Sequence, residues 1–272
     1  MRIRIIDAFS DRPFAGNQAA VCLLDRPEWP ADGWMQQVAA ELNLSETAFA
    51  HPLPAGGAAD WALRWFTPAV EVDLCGHATL ATAHALHGDG ALPPGGTVRF
   101  ATRSGVLTAR AAPGGGLTLD FPAAPARPVP VPEGVAAALG VPVTAAYDTG
   151  ALGDLLVEVA DEATVRALAP DLAAVARLGT RGVIVTAAAE DPAAGHDYVS
   201  RFFAPAVGIA EDPVTGSAHT ALAPLWSARL GRTDLTGLQA SARSGLVRTA
   251  LRGDRVLLTG DAVTVLDGEL RR

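Results

Sequence analysis

Apolar and polar residues alternate from the first positions, where RIRIIDA (2–8) carries the period-two signature of a β-strand. Two later stretches break that rhythm. HATLATAHAL (77–86) and SAHTALAPLW (217–226) are apolar on nearly every side, and a helix without a polar face is usually wrapped by other elements. Trp34 to Leu42 reads as an amphipathic helix, with Ala163 to Ala176 as its approximate counterpart in the second half. TRSGVL (102–107) and ARSGLV (242–247) are each followed by alternation, a glycine-containing turn (PGGG at 113–116, RGD at 252–254) and a further strand, the pattern of hairpins. The expected class is α+β: two pseudo-symmetric domains, each a curled, mainly antiparallel sheet around a central helix.

The symmetry follows from an internal repeat. WFTPAVEVDLCGHATLA (65–81) matches FFAPAVGIAEDPVTGSAHTA (202–221), and Gly76 and Gly216 are 140 positions apart. Gly105 and Gly245, in the two RSG blocks, are also 140 apart. Agreement of offset at two separate places makes coincidence a poor explanation. Residues 1–121 form the first expected unit and 122–132, PAAPARPVPVP, an extended proline-rich linker. Residues 133–272 form the second, its C-terminal tail a candidate to pack back on the first.

Composition narrows the function classes. The 272 residues are 49% hydrophobic and 18% charged with a net charge of −8, and the arginines are scattered, so no basic stripe offers itself to nucleic acid. No stretch approaches the roughly 20 apolar residues that span a bilayer. The N-terminus reads as a strand, not a secretory signal, and two cysteines (Cys22, Cys75) make no disulfide framework, so a cytoplasmic protein is expected.

Each repeat opens its apolar helix with a glycine turn. The first N–H groups of a helix lack internal partners and carry partial positive charge, so Gly76 and Gly216 can bring backbone donors close to a carboxylate. Either glycine alone reads more readily as a turn feeding a core helix. The same construction twice in register favours the functional reading. The copies differ: Cys75-Gly76-His77 faces Thr215-Gly216-Ser217, and the second loop is three residues longer, with Glu211-Asp212-Pro213 inserted.

DAFSDRPFAGNQAAV, LNLSETAF, FTPAVEVDLCGHATLA, RFFAPAVGIAEDPVTGSAH and the closing RSG hairpin resemble the phenazine-biosynthesis isomerase (PhzF-like) family, over about residues 5–265. The resemblance implies the diaminopimelate-epimerase-like fold, with the site in the cleft, no cofactor and no metal. It places the catalytic carboxylate on Glu46, the histidine on His77 and an active-site aspartate on Asp212. Gly76, Gly216 and Ser217 match positions that hold substrate, chiefly its carboxylate, while Asn17 and Ser45 match the lining. Gln18 and Ala78 stand where proline is frequent in the family. The resemblance also implies a homodimer acting on a small carboxylate, with no nucleic-acid or membrane partner.

Other readings of these residues stand beside it. Glu46 is either a solvated surface carboxylate or, between Leu44 and Phe49, an acid/base in a partly apolar setting that raises a carboxyl pKa. The equivalent place in the second half falls near Arg181-Gly182, so no second glutamate opposes it. His77, in the first turn of its helix, is expected to be held neutral by the dipole. Asp212 either orients substrate or caps the following helix. His84 and His87 lie about 10 Å or more along the helix from His77 at 1.5 Å per residue, too far for one metal's ligand shell. His219 is expected to face away from Ser217. Cys75 resembles a base of two-thiol epimerases, but its partner position is Thr215, so it is expected to be a small lining residue.

The expected activity is a cofactor-independent isomerase that moves a proton within a small carboxylate-bearing substrate, amino acid-like or cyclic. The alternatives are an amino-acid epimerase or racemase, and a non-catalytic small-carboxylate binding protein.

Overall fold

The computed structural model describes residues 1–112 and 115–271, so Pro113 and Gly114 of the expected 113–116 turn lie outside the described residues. Its elements run β1 (Arg2–Ala8), β2 (Asn17–Leu23), α1 (Asp32–Leu42), β3 (Glu46–Pro52), β4 (Trp61–Phe66), β5 (Glu71–Val72), α2 (Gly76–Gly88), β6 (Thr97–Thr102), β7 (Gly105–Ala111) and β8 (Leu117–Pro122). They continue with β9 (Arg127–Val129), α3 (Val135–Leu139), β10 (Ala145–Asp148), β11 (Asp154–Glu158), α4 (Glu162–Ala167), α5 (Leu172–Ala176), β12 (Gly182–Ala188), β13 (Tyr198–Ala204) and β14 (Ile209–Asp212). The last are α6 (Gly216–Leu230), β15 (Asp234–Gln239), β16 (Gly245–Arg252), β17 (Arg255–Gly260) and β18 (Ala262–Glu269). Short 3-10 turns fill some of the connections.

The chain divides into two compact units: Met1–Asp120 with Thr259–Arg272, and Phe121–Leu258. In the first, β1–β2, β3–β4, β4–β5 and β6–β7 pair antiparallel, while β2–β3 and β4–β6 are parallel. The second repeats this order strand for strand: β10–β11, β12–β13, β13–β14 and β15–β16 antiparallel, β11–β12 and β13–β15 parallel. One flank is built differently. β1 pairs with the C-terminal β18, whereas β10 pairs with β9 from the proline-rich stretch. Residues 127–129 are therefore a sheet flank and not only a connector, and Pro128, which has no N–H to donate, sits where pairing is needed on one side alone. Arg2 and Arg4 fasten β18 through Asp267.

Each unit wraps its sheet around an apolar helix. In α2, residues His77 to Ala83, Ala85 and Leu86 are buried against β1, β2, β3, β7 and β18. The hydroxyls of Thr79 and Thr82 donate to the carbonyls of Cys75 and Ala78 at 2.6 and 2.7 Å, so two polar residues pass through the core satisfied. In α6, Pro224 supplies no N–H to the Thr220 carbonyl one turn back, and the backbone N–H of Ala124 takes that place at 3.1 Å. Ala218, Ala221, Leu222 and Trp226 pack α6 against Tyr198, Phe202 and Leu235.

The helix expected over 163–176 is two short ones. Pro170 disfavours helical geometry at Ala169, and Leu168 has already turned extended (φ −54°, ψ 130°) where α4 ends. Asp161 and Asp171 then cap α4 and α5 separately, accepting from the Thr164 and Ala174 N–H groups. Among the described residues, no helix is long and apolar enough to cross a membrane.

Candidate active site

Three elements of the first unit bring the chemistry together. The loop of residues 9–16 joins β1 to β2 and delivers Asn17. Gly16 closes it at φ +67°, and a Cβ there would lie 2.2 Å from the Ala8 carbonyl oxygen. The parallel pairing of β2 with β3, in register Ala19 with Glu46, sets the head of β3 beside that turn. The start of α2 supplies His77.

His77 Nε2 lies 3.0 Å from Glu46 Oε2, with the two side chains 6% and 12% exposed. The contact has ion-pair distance without hydrogen-bond alignment, and both atoms are buried with no hydrogen-bonding partner. Their capacity to exchange a proton with a third group is therefore unspent. On the other side of the ring, Nδ1 is 3.2 Å from Asn17 Nδ2 and 3.6 Å from Cys75 Sγ, and Ser45 Oγ donates to Asn17 Oδ1 at 3.2 Å.

Charge corrects one expectation. Burial favours a neutral imidazole, but the Cys75 sulfur and the Glu46 carboxylate pull the other way and hold the His77 pKa well above its ordinary value. Burial also pushes the Cys75 thiol up to about 11. A full carboxylate charge at contact outweighs the roughly half charge of a helix end. The shift is toward the protonated ring, opposite in direction to what its helix position suggests. With both ring nitrogens protonated, Nδ1–H needs an acceptor, and rotation of the Asn17 amide supplies one, with Ser45 then accepting from its NH2 group.

Donor atoms of Glu46, Cys75 and His77 lie within 4.8 Å of one another, a set able to hold a metal ion. The ring meets the other two with different nitrogens, however, Nδ1 toward Cys75 and Nε2 toward Glu46.

The second unit presents its counterpart separately. The Thr215 hydroxyl donates to Asp212 Oδ2 at 2.5 Å, and Gln239 joins both, its Nε2 donating to the Asp212 carbonyl at 2.8 Å and its Oε1 accepting from the Thr215 N–H at 2.8 Å. Thr215, not Asp212, is the N-cap of α6, and its side chain makes no capping bond. Gly216 is buried and Ser217 half-buried at the start of α6. His219 is turned into the core, its Nδ1 2.9 Å from the Tyr198 hydroxyl, and burial drives its pKa down to about 3. His84 Nε2 meets Thr264 Oγ1 at 3.1 Å and His87 Nδ1 donates to the Leu92 carbonyl at 2.7 Å, so both are structural.

Sequence reasoning missed the contact between Cys75 and His77, two residues apart and turned toward each other by the extended backbone of Cys75 (φ −147°, ψ 109°).

A family model described as phenazine biosynthesis-like protein matches residues 6–268. An uncharacterized isomerase of Pseudomonas aeruginosa is 50% identical over 97% of this chain and 96% of its own. The crystal structure of a PhzF family phenazine biosynthesis protein from Enterococcus faecalis superimposes with a TM-score of 0.90 at 40% identity, covering 100% of this chain and 99% of that one. A predicted epimerase of Pseudomonas aeruginosa shares the fold, with a TM-score of 0.73 at 22% identity over 99% and 98% of the two chains.

Proposed function

Because this chain belongs to the phenazine biosynthesis-like (PhzC-PhzF) family, whose relatives include named isomerases, we propose that it is a cofactor-independent isomerase. It moves a proton within a small carboxylate-bearing substrate, amino acid-like or cyclic. The observation that carries this reading is the buried Glu46–His77 pair, 3.0 Å apart, with unspent hydrogen-bonding capacity on both facing atoms.

Glu46 serves as the base. Its carboxylate removes a proton from an acidic carbon of the substrate, the electron pair shifts into the conjugated system, and the resulting carboxylic acid returns the proton to a different carbon. Atoms and charge balance without any redox partner. The His77 ring, when protonated, offers positive charge beside the electron-rich intermediate. Asn17, itself bonded by Ser45, holds the ring, and Asp212 is assigned a role in orienting a substrate amine or hydroxyl.

Glu46→Gln tests the reading, because it keeps the shape and removes the base. Turnover should fall by about 10³-fold, in the range for loss of a positioned acid/base, with ligand binding retained. Unchanged turnover would move the protein to the class of non-catalytic carboxylate binders.

A further inference from the structure

The acidic stretch before α6 is three residues longer than its counterpart before α2, and it carries a brace that the first unit lacks. Strand register locates the brace. Gln239, the last residue of β15, pairs with Gly245 as Thr102, the last of β6, pairs with Gly105. Thr102 uses its hydroxyl within its own hairpin, donating to the Gly105 carbonyl at 2.7 Å. Gln239 is fully buried and turns its amide to Asp212 and Thr215.

Two backbone groups fix which end of that amide is which. Oε1 accepts from the Thr215 N–H, an obligate donor, and Nε2 donates to the Asp212 carbonyl, an obligate acceptor, each at 2.8 Å. The second Nε2 hydrogen falls on Thr215 Oγ1, 3.1 Å away. A hydroxyl that accepts from an amide still has its own hydrogen to place, and Asp212 Oδ2 lies 2.5 Å from it. Polarity therefore runs one way, from amide to hydroxyl to carboxylate. Without the amide, the hydroxyl could equally accept from a protonated Asp212. The rest of the stretch is held independently. Arg201 takes Glu211 through Nε and Nη2 at 2.7 and 2.9 Å, and Ser241 Oγ donates to the Pro213 carbonyl at 2.9 Å. Within this unit, burial drives the His219 pKa down to about 3 and raises that of Tyr198, so both are neutral. These groups, and Arg243 two residues beyond Ser241, are common to every variant below.

We propose that Gln239 is a positioning residue for Asp212, acting through Thr215. It commits the Thr215 hydroxyl to donate, which holds Asp212 in one orientation and as a carboxylate that only accepts. The inference deepens the isomerase reading, on which it rests for placing Asp212 in the site. It narrows the substrate group that Asp212 meets to a hydrogen-bond donor, an ammonium, amine or hydroxyl, and rules out a carbonyl oxygen or a second carboxylate as its direct partner.

Carbon-13 NMR titration of the aspartate carboxyl groups tests this, with Asp212→Asn identifying the signal. Removing a donor to a carboxylate raises its titration midpoint, so Gln239→Met and Thr215→Val should each raise that of Asp212 by about one pH unit. The double variant should shift no further than the larger single one, because both changes remove the same donated hydrogen. Thr215→Ser, which keeps the hydroxyl, should titrate close to wild type. Melting curves verify that each variant is folded, and the isosteric Thr215→Val carries the test if Gln239→Met does not fold. An unchanged midpoint in either folded variant, or shifts that add in the double variant, overturns the proposal. The signal is read without turnover, so its failure leaves the role of Glu46 to be judged by its own experiment.

Discussion

The imidazole of His77 lies between two acidic side chains, 3.0 Å from a Glu46 carboxylate oxygen through Nε2 and 3.6 Å from the Cys75 sulfur through Nδ1. Both the sulfur and the carboxylate raise its pKa, against the effect of burial. Raised above the ordinary imidazole value near 6.5, the His77 pKa makes a folded-state contribution that is fully present below about pH 6.5 and lost as pH rises through the folded value. Activity that needs the imidazolium should fall on the alkaline side, well above pH 6.5. His77→Gln should lower turnover by about 100-fold and remove that alkaline limb, read from a pH–rate profile of both proteins.

Asn17 reports on the same proton. Asn17→Asp adds a carboxylate at 3.2 Å from Nδ1, so it should displace the alkaline limb to higher pH, whereas Asn17→Leu should cost about tenfold in turnover without that upward shift. Histidine NMR titration of the two variants separates the outcomes.

Cys75 should be unreactive. With its thiol buried and raised to about 11, iodoacetamide at pH 7.5 should label it far more slowly than an exposed cysteine, and Cys75→Ser should reduce turnover by less than about tenfold. Mass spectrometry of the labelled peptide checks the first point, and rapid labelling would show that the sulfur is a thiolate.

The turn before Asn17 should tolerate no side chain at Gly16. Gly16→Ala places a methyl 2.2 Å from the Ala8 carbonyl oxygen in a left-handed backbone, and a loss of about 1–3 kcal/mol in unfolding free energy is expected. Denaturant titration measures it.

Much of the fold was legible because both repeats kept the same glycine starts and hairpin blocks at one offset. What escaped depended on single prolines and distant partners. Pro170 split a helix whose apolar spacing looked continuous, and the flank position beside β1 goes to β18, a strand some 260 residues away in sequence, which no local pattern specifies. Glu46 and His77 were named from family resemblance, since their spacing of 31 residues says nothing about contact. For the same reason the charge of His77 was misjudged: its helix position is visible in the sequence and its carboxylate neighbour is not.

Proton abstraction by Glu46 is tested most directly by hydrogen exchange in deuterated water. Wild type and Glu46→Gln would each be incubated with a panel of small amino and cyclic carboxylic acids, and carbon-bound deuterium followed by mass spectrometry. The account predicts incorporation into at least one acid by wild type and a loss of about 10³-fold in Glu46→Gln. Exchange at the wild-type rate in Glu46→Gln, or none by wild type with any acid of the panel, would contradict it.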